Sequence, residues 1–546
     1  MFRYTFWPAL ALLTACSNPS ANESTPTVES KDQAGTTRAK LVLVIVLDQM
    51  PSSAILRYAS YLPKDGALRR AIEGGMYHER VRYGYAGTNT APGHASIFTG
   101  EMPAVHGIDS NDLYSYEVGA RIRIVDDQKS AVFGVEGAFA SPFRLLKPTV
   151  GDTLRKLDPK SKVVSVSLKA RAAVLSGGSN PNFVTWYDHR LPGFTTSTRY
   201  AESMPKWLSD WNAANPVSQR TGLWEAADPE TYEKLLGSDE VKGESDWYGL
   251  GITFPHNTKD TEKPEKTFVA TPQSVDYLLD MTRELASRYE LGKDEHTDLL
   301  CLSVSSTDYV GHSFSTHSWE YMDILLKADK ALGVLVDELG KDTELAVVIT
   351  SDHGGSPLPE TIIARGLPGG RMGGQEIVSE LEALADKELG EGDWIQTFIQ
   401  PYLYLSKSAL SSEKKPELEA LIQRYATENE RIEGIYPPVL ARSWKAEPGS
   451  IRQAVTNTVS ASRVALYVVP AQGYVASSSC DDDGTGHGTP WLEDREVPLL
   501  AFGTGVTAVH NRKVLPQNRV ASTIASLLGI DWHMPAKALP GCPGQD

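Results

Sequence analysis

Five apolar runs rich in Val, Ile and Leu constrain the fold of this chain more than any other feature of its sequence. Polar residues hardly interrupt them, which is typical of strands buried on both faces of a mostly parallel sheet. The runs are Lys40–Leu47, Lys162–Leu168, Asp298–Ser305, Glu344–Thr350 and Val497–Phe502. Helical patterns such as Ser274–Tyr289 and Trp319–Leu339 lie between them. This alternation predicts an α/β fold, with a mostly parallel central sheet flanked by helices.

Four of the predicted strands run into side chains that can bind a metal or a phosphate. These are Asp48 after the first strand, Lys169 and Arg171 after the second, Asp308 after the third, and Asp352 with His353 after the fourth. A single Asp after a strand is more often a helix cap or a turn residue. Ligands of open parallel sheets, however, bind beyond the carboxyl ends of the strands. Four such endings together predict one shared site.

Length and charge limit the classes of protein and partner. The chain has 546 residues, 41% of them hydrophobic, which is enough for one large α/β domain with insertions or for two to three ordinary domains. Its formal net charge of −16 argues against nucleic acid or an anionic membrane as a general partner. An anionic substrate therefore requires locally concentrated positive charge. The sequence does not indicate an oligomeric state.

Residues 1–15 are predicted to be an export signal, because an early Arg precedes a short apolar run that ends in Leu13-Thr14-Ala15-Cys16. This ending resembles a bacterial lipobox, which implies cleavage before Cys16 and a lipid on its thiol. The alternative is an ordinary secretory signal with an incidental cysteine. Residues 16–39 are polar and are predicted to be a flexible tether. The expected location is the periplasm, with anchoring to the outer membrane if Cys16 is lipidated.

The catalytic domain is predicted to span 40–546, with two segments outside the strand–helix alternation. Segments 179–267 and 356–473 are predicted to be insertions, and the second contains an amphipathic pattern at Lys414–Arg431. Long segments of this kind form lids or crowns over a site, or ordinary surface elaborations. Both interpretations stay open.

Three cysteines follow Cys16. Cys301 lies in an apolar run and is predicted to be a buried, inert thiol. Cys480 and Cys542 lie in loops and could pair in an oxidising compartment.

Three Asp and three His residues form a candidate set of metal ligands: Asp48, Asp308, His312, Asp352, His353 and His487. Asp308 and His312 are four residues apart, hence on one face of a helix. His487 stands in a Gly-rich loop, GTGHG. The mixed oxygen and nitrogen donors suit zinc and are too rich in nitrogen for calcium or magnesium. Six ligands divide into two three-ligand sites, an arrangement suited to in-line displacement at phosphorus.

The stretch Gly84–Gly100 (GYAGTNTAPGHASIFTG) contains the candidate nucleophiles. Four hydroxyl side chains compete there: Thr88, Thr90, Ser96 and Thr99. The stretch by itself does not choose between them.

In their order along the chain these motifs resemble the alkaline phosphatase superfamily, and within it the PafA-type bacterial alkaline phosphatases. These are relatives of the nucleotide pyrophosphatase/phosphodiesterases. The motif residues are Asp48, Thr90 followed by Ala-Pro-Gly-His, Asn111, Lys169 with Arg171, Asp308 with His312, Asp352 with His353, and His487. The resemblance extends from Lys40 to about Pro540 and implies an alkaline-phosphatase-like fold.

The resemblance also implies a role for each residue and two zinc ions per chain. One zinc is bound by Asp48, Asp352, His353 and the oxygen of Thr90, and the other by Asp308, His312 and His487. Asn111, Lys169 and Arg171 contact the non-bridging oxygens of the phosphate. The implied activity is hydrolysis of small phosphate monoesters through a phospho-Thr90 intermediate. Pro92 agrees with this choice of nucleophile, because it places Thr90 at a helix start whose dipole favours negative charge.

Three alternatives compete with the monoesterase. A phosphodiesterase or nucleotide pyrophosphatase shares the metal ligands and the Thr, but lacks the Lys169/Arg171 pair. A sulfatase would have Cys or Ser followed by x-Pro-x-Arg, where this chain has Thr90-Ala91-Pro92-Gly93-His94. A non-catalytic zinc-binding lipoprotein would not need the full set of nucleophile, metal ligands and phosphate contacts.

Overall fold

A computed structural model describes residues 38–443 and 445–532 of the chain. The predicted signal at 1–15, Cys16, nearly all of the tether, and Cys542 with its predicted pairing to Cys480 lie outside the described residues. Cys301 is buried, as predicted.

The strands of the described residues are, in chain order, β1 (Leu41–Leu47), β2 (Met76–Arg82), β3 (Asp112–Ser115), β4 (Ala120–Arg123), β5 (Val163–Ser167), β6 (Phe183–Asp188), β7 (Gly193–Thr195), β8 (Leu223–Trp224), β9 (His256–Asn257), β10 (Asp298–Val304), β11 (Leu345–Thr350), β12 (Gly370–Gly373), β13 (Ile395–Ile399), β14 (Tyr402–Leu405), β15 (Ile432–Tyr436), β16 (Leu466–Pro470), β17 (Tyr474–Ser477), β18 (Glu496–Gly503) and β19 (Val509–Pro516).

The α-helices of the same residues are Ser52–Tyr58, Ala67–Gly74, Thr90–Thr99, Pro103–His106, Val150–Leu157, Ala170–Gly177, Lys206–Ala214, Pro229–Leu236, Pro264–Thr267, Pro272–Arg288, Ser306–Phe314, Trp319–Gly340, Pro359–Ala364, Gly374–Leu389, Lys407–Ser411, Lys415–Glu428, Pro438–Ser443, Ile451–Thr458, Leu492–Arg495 and Asn518–Leu528. None of these helices is both long and apolar enough to cross a membrane.

The largest sheet in the described part of the chain has nine strands in the order β19-β2-β18-β11-β1-β10-β5-β6-β7. The five central strands from β11 to β6 are mutually parallel. This confirms the predicted fold class. β18, predicted from the apolar run Val497–Phe502, is antiparallel to both of its neighbours, β11 and β2. Its direction was not predictable, because a buried strand is equally apolar in either orientation.

Alternate side chains of β1 enter two different hydrophobic cores, which explains the unbroken apolar run. Leu43 and Ile45 pack with helices Pro272–Arg288 and Trp319–Gly340 on one face of the sheet. Val44 packs on the other face with helices Thr90–Thr99 and Asn518–Leu528. Every residue of β1 is at most 1% exposed.

The register of the central strands brings their carboxyl ends to one level. Leu47 of β1 pairs with Val304 of β10, and Val46 pairs with Thr350 of β11. Ser303 of β10 in turn pairs with Ser167 of β5. The candidate residues that follow these four strands therefore leave the sheet at the same edge.

The two segments predicted to be insertions are built differently. Segment 179–267 first adds β6 and β7 to the edge of the main sheet, so only its later part leaves the sheet. Segment 356–473 contains a second sheet, ordered β13-β14-β16-β15. Helices Gly374–Leu389 and Lys415–Glu428 pack with this sheet around a core of its own.

Candidate active site

Thr90 is the first residue of helix Thr90–Thr99, and it is fully buried. Asn89 precedes it in an extended conformation, and the backbone N–H of Gly93 donates to the Asn89 carbonyl at 2.9 Å. Pro92 fits the first turn because an N–H at that position has no acceptor within the helix. The helix dipole favours negative charge at the Thr90 hydroxyl.

Gly93 allows this helix to lie directly against the end of β11. A Cβ atom at this position would be 2.3 Å from the carbonyl oxygen of Asp352 and 2.6 Å from its Cβ atom. Both contacts are far shorter than van der Waals separation. Only glycine therefore brings Thr90 this close to the Asp352–His353 pair.

We expect Gly93→Ala to move Thr90 away from Asp352 and to lower kcat/KM for a phosphate monoester, the substrate that the resemblance implies, by at least about 10-fold. Overpacking of this kind costs about 1–3 kcal/mol, so the melting temperature should also fall. Gly74→Ala is the matched control, because nothing lies within 4 Å of a Cβ at Gly74. Wild-type kcat/KM and Tm in Gly93→Ala would contradict the close approach.

Three buried carboxylates surround this helix start. Asp48, Asp308 and Asp352 are each at most 2% exposed. The ammonium of Lys169 lies 2.7 Å from Asp48 Oδ2 and forms a second ion pair with Asp308. Each carboxylate nevertheless retains one buried oxygen that has no hydrogen-bond partner.

The three candidate His ligands share one orientation. Nδ1 of His312, His353 and His487 lies 2.9, 2.8 and 2.8 Å from the carbonyls of Thr485, Gly354 and Thr88, respectively. An Nδ1–H that donates to a carbonyl leaves Nε2 as a lone-pair donor, which is the usual arrangement of a metal-binding His. The Nε2 atoms of His312 and His487 are 3.2 Å apart, and the His487 ring stacks on His353 at 3.6 Å.

The donor atoms fall into two groups whose members lie within 4.8 Å of one another. One group is Asp308, His312 and His487, and the other is Asp48, Asp308 and His353. Asp308 therefore lies within reach of both groups. Asp352 stands beside the second, with its Oδ2 3.5 Å from His353 Nε2. The predicted division, with Asp308 in one set and Asp352 in the other, is compatible with these distances and stays a prediction.

The electrostatics of the carboxylates reflect their crowding. Burial, and then the neighbouring Asp308 and Asp352, raise the pKa of Asp48. Burial also opposes ionisation of Asp308, but Lys169 and His312 hold its pKa well below the usual range. The adjacent carboxylates Asp48 and Asp308 thus have opposite pKa shifts. The reason is that several buried carboxylates share one ammonium group, that of Lys169.

The predicted phosphate contacts converge on Thr90. Lys169 Nζ and Arg171 Nη2 lie 3.5 and 3.4 Å from Thr90 Oγ1. Both follow β5, and Lys169 is the N-cap of helix Ala170–Gly177. The amide oxygen of Asn111 accepts a hydrogen bond from Ala91 N at 2.9 Å, which leaves the amide NH₂ group as a donor.

His94 is a site residue that was not predicted from the sequence. This fully buried residue lies on the same helix as Thr90, and its Nδ1 is 2.8 Å from the Thr90 carbonyl and 3.2 Å from Asp352 Oδ2. Its Nε2 is 2.9 Å from the hydroxyl of Ser303. The spacing of four residues from Thr90 was the available signal, because such residues share one face of a helix.

Two cavities border the site. One of about 700 Å³ is lined by Asn111 and by Gln400 of segment 356–473. The other, of about 560 Å³, is lined by Lys169, Arg171 and Tyr309. Both cavities therefore adjoin residues that surround Thr90.

Comparison with known proteins identifies the family. The family model described as type I phosphodiesterase / nucleotide pyrophosphatase matches residues 42–368. Alkaline phosphatase PafA of Elizabethkingia meningoseptica is 30% identical over 529 residues, which cover 92% of this chain and 94% of PafA. The chain belongs to this family of the alkaline phosphatase superfamily. This confirms the predicted resemblance.

Other alkaline phosphatases are also similar to this chain over most of its length. Alkaline phosphatase PhoV of Synechococcus elongatus is 31% identical over 508 residues, which cover 90% of each chain. The crystal structure of wild-type PafA superimposes with a TM-score of 0.84 at 28% identity, covering 93% of this chain and 100% of PafA. The predicted enzyme class, a phosphoric monoester hydrolase, is confirmed by these relatives. The superfamily is metal-dependent, and the two groups of Asp and His residues can hold metal ions.

Proposed function

We propose that this chain is a zinc-dependent alkaline phosphatase that hydrolyses small phosphate monoesters through a phospho-Thr90 intermediate. One observation carries the proposal. Four buried atoms around Thr90 that could donate a lone pair to a metal make no well-aligned hydrogen bond: Asp48 Oδ1, Asp308 Oδ1, Asp352 Oδ2 and His353 Nε2. The nearest ion-pair contacts of these atoms are with His94 Nδ1, 3.2 Å from Asp352 Oδ2, and between Asp48 Oδ1 and His353 Nε2 at 3.3 Å. Buried polar atoms are costly when they are unsatisfied, and bound cations would satisfy all four.

The donor set fits zinc. Asp48, Asp352 and His353, together with Thr90, would hold one ion, and Asp308, His312 and His487 would hold the other. Carboxylate oxygen and imidazole nitrogen are usual zinc ligands, whereas calcium and magnesium prefer oxygen alone. When bound, zinc would favour the deprotonated forms of a hydroxyl group and of water and would offset negative charge on the leaving oxygen.

The residues of the chain perform two displacements at phosphorus. Thr90 Oγ1 attacks the phosphorus atom, the ester P–O bond breaks, and the alcohol leaves with a proton. Water then attacks phospho-Thr90, which releases inorganic phosphate and restores the hydroxyl group. In both steps Lys169, Arg171 and the amide group of Asn111 hold the non-bridging oxygens, and the helix N-terminus favours their negative charge.

The size of the rate acceleration favours this combination. Enzymatic acceleration of phosphate monoester hydrolysis can approach about 10²¹-fold, or ~29 kcal/mol. General acid–base catalysis supplies only about 10²–10⁴-fold. Other contributions, such as a covalent step and concentrated positive charge at the phosphate, must therefore supply the rest.

The alternative substrate is a phosphodiester, which the description of the family model favours. Two observations support the monoester instead. Lys169 and Arg171 both lie within 3.5 Å of Thr90 Oγ1, and a dianionic monoester offers them more charge than a diester. PafA and PhoV, which are matched over 90% or more of this chain, are both alkaline phosphatases.

A comparison of three chromogenic substrates tests the proposal: a phosphate monoester, its methyl diester and a sulfate ester. We expect the highest kcat/KM for the monoester. A higher kcat/KM for the diester would refute the monoesterase and favour the phosphodiesterase.

Removal of the metal is expected to abolish turnover. Elemental analysis of the purified protein should find about two zinc ions per chain, and dialysis against a chelator should lower kcat at least about 10³-fold. Zinc should restore kcat more fully than calcium, because half of the six ligands are imidazoles. Full activity after removal of the metal would refute the proposed site.

We also propose that the protein is exported and anchored by a lipid on Cys16, as the lipobox-like ending of the signal indicates. Mass spectrometry of the mature N-terminus should find an acylated Cys16 as the first residue. A mature chain that starts elsewhere and has an unmodified Cys16 would favour an ordinary secretory signal.

A further inference from the structure

A buried ion pair joins segment 356–473 to the loop that bears Asn111. Asp109 lies between helix Pro103–His106 and β3 and is fully buried, and Arg463 lies just before β16 and is 8% exposed. Arg463 Nε donates to Asp109 Oδ2 at 3.2 Å, and Arg463 Nη2 donates to Asp109 Oδ1. The guanidinium thus holds the carboxylate through two parallel hydrogen bonds.

Both partners make further hydrogen bonds with segment 356–473. Asp109 Oδ2 also accepts from the hydroxyl of Tyr402 at 3.0 Å and from the backbone N–H of Ser460 at 3.1 Å. Arg463 Nη1 donates to the hydroxyl of Tyr404 at 2.8 Å. Burial disfavours the charge on Asp109, but Arg463 and Ser460 hold its pKa below the usual range. The carboxylate is therefore ionised, and segment 356–473 holds it rigidly.

Asn111 is two residues from this ion pair and is fixed on both sides. Arg463 Nη2 also donates to Ser110 Oγ at 3.1 Å, immediately before Asn111. The Asn111 carbonyl accepts from Ile124 N, and its amide oxygen accepts from Ala91 N, both at 2.9 Å. Asn111 thus contacts helix Thr90–Thr99 through its amide oxygen and directly follows Asp109 and Ser110, which Arg463 holds.

We propose that Asp109 and Arg463 are positioning residues that act through Asn111 and place its amide donor for the phosphate beside Thr90. The inference rests on the proposed function in one respect, the contact of Asn111 with the phosphate. The proposal gives segment 356–473 a role in catalysis. This segment supplies Arg463, which positions the Asn111 amide from a different part of the chain. A buried ion pair adds little net stability compared with apolar packing, so fixed geometry is the better explanation of its presence.

A double-mutant cycle tests the coupling. Asn111→Ala should lower kcat/KM for a phosphate monoester about 10²-fold, as expected for loss of one donor to developing negative charge. Asp109→Asn should lower it about 10–100-fold on its own, but less than about 3-fold in the Asn111→Ala background. Residues that act through one another give such non-additive effects, whereas general loosening of the fold gives additive ones. Arg463→Lys keeps the charge but loses the parallel hydrogen bonds, and it should show the same non-additivity if Asp109→Asn does not fold.

Arg424→Ala is the matched control, because Arg424 also pairs with a carboxylate within segment 356–473, Glu388, but on the surface. It should leave kcat/KM unchanged in both backgrounds. An Asp109→Asn effect that is undiminished in the Asn111→Ala background would overturn the positioning role and leave the phosphatase assignment intact. Wild-type kcat/KM in Asp109→Asn would also overturn it. Wild-type kcat/KM in Asn111→Ala would instead refute the phosphate contact, and the positioning role with it.

Discussion

Thr90→Ala is expected to lower kcat/KM for phosphate monoesters by on the order of 10⁴-fold or more, which corresponds to about 5.5 kcal/mol of lost transition-state stabilisation. The physical reason is that Thr90 Oγ1 forms the bond to phosphorus in the proposed first step. Among the described hydroxyl groups of Gly84–Gly100, that of Thr90 lies within 3.5 Å of both Lys169 and Arg171. Stopped-flow or steady-state assays on the zinc-loaded enzyme measure the loss.

The phosphoenzyme gives a second, independent measurement. Acid quenching of the wild-type enzyme during turnover should trap phosphate on Thr90, and Thr90→Ala should trap none. Thr99→Ala is the matched control on the same helix, because its hydroxyl donates to the Ala95 carbonyl. That variant should retain both turnover and the trapped phosphate. Phosphate found at another residue of Thr90→Ala would refute the choice of nucleophile.

Simultaneous replacement of Lys169 and Arg171 by Ala is expected to lower monoesterase kcat/KM about 10³–10⁴-fold and diesterase kcat/KM much less. In the proposed mechanism each side chain would make a charge-assisted hydrogen bond to phosphate, worth about 1.5–3 kcal/mol. A phosphate monoester dianion carries two negative charges and a diester carries one. Removal of two cationic side chains should therefore weaken transition-state binding of the monoester more. The ratio of the two kcat/KM values therefore reports the role of the pair.

The ion pairs of Lys169 with Asp48 and Asp308 require one more measurement. Zinc content should be determined for the variant, because loss of metal would lower both activities equally. Arg190→Ala is the matched control: Arg190 lines the same cavity, but it is paired with Asp188. It should leave the monoester-to-diester ratio unchanged. Equal losses on both substrates in the zinc-loaded double variant would remove the proposed role of Lys169 and Arg171.

The central strands were predictable to within about one residue because burial on both faces leaves an unbroken apolar run. β1 begins at Leu41 instead of Lys40, and β11 begins at Leu345 instead of Glu344. Strand β6 and the edge strand β7 are exceptions, because they were not separated from the predicted insertion at 179–267. β6 has the sequence FVTWYD, which is too short and too mixed in composition for its pairing to β5 to be evident.

The site was predictable as a set of residues more than as an arrangement. Asp48, Asp308 and Asp352 were identified because each follows a predicted strand, and parallel strands end at one edge. Which metal-binding side chains lie together depends on their directions, which the sequence does not give. In the structure Asp308 belongs to both groups of possible metal ligands. The Asp109–Arg463 pair was not predicted, because a buried polar residue is recognised by its partners and not by its own sequence context. His94 was missed although its helical spacing from Thr90 is visible in the sequence.

The sequence by itself determined the strand–helix order, the mostly parallel sheet, the residue types at its carboxyl edge and the family. These depend on hydrophobic periodicity and on motifs that are local in the chain. Only the tertiary structure shows that the His Nε2 atoms and the carboxylate oxygens without hydrogen bonds converge around Thr90. It alone also shows that Arg463 pairs with Asp109, which is 354 residues away in the sequence. Such contacts join segments whose separation along the chain carries no information about their distance in space, and only packing brings them together.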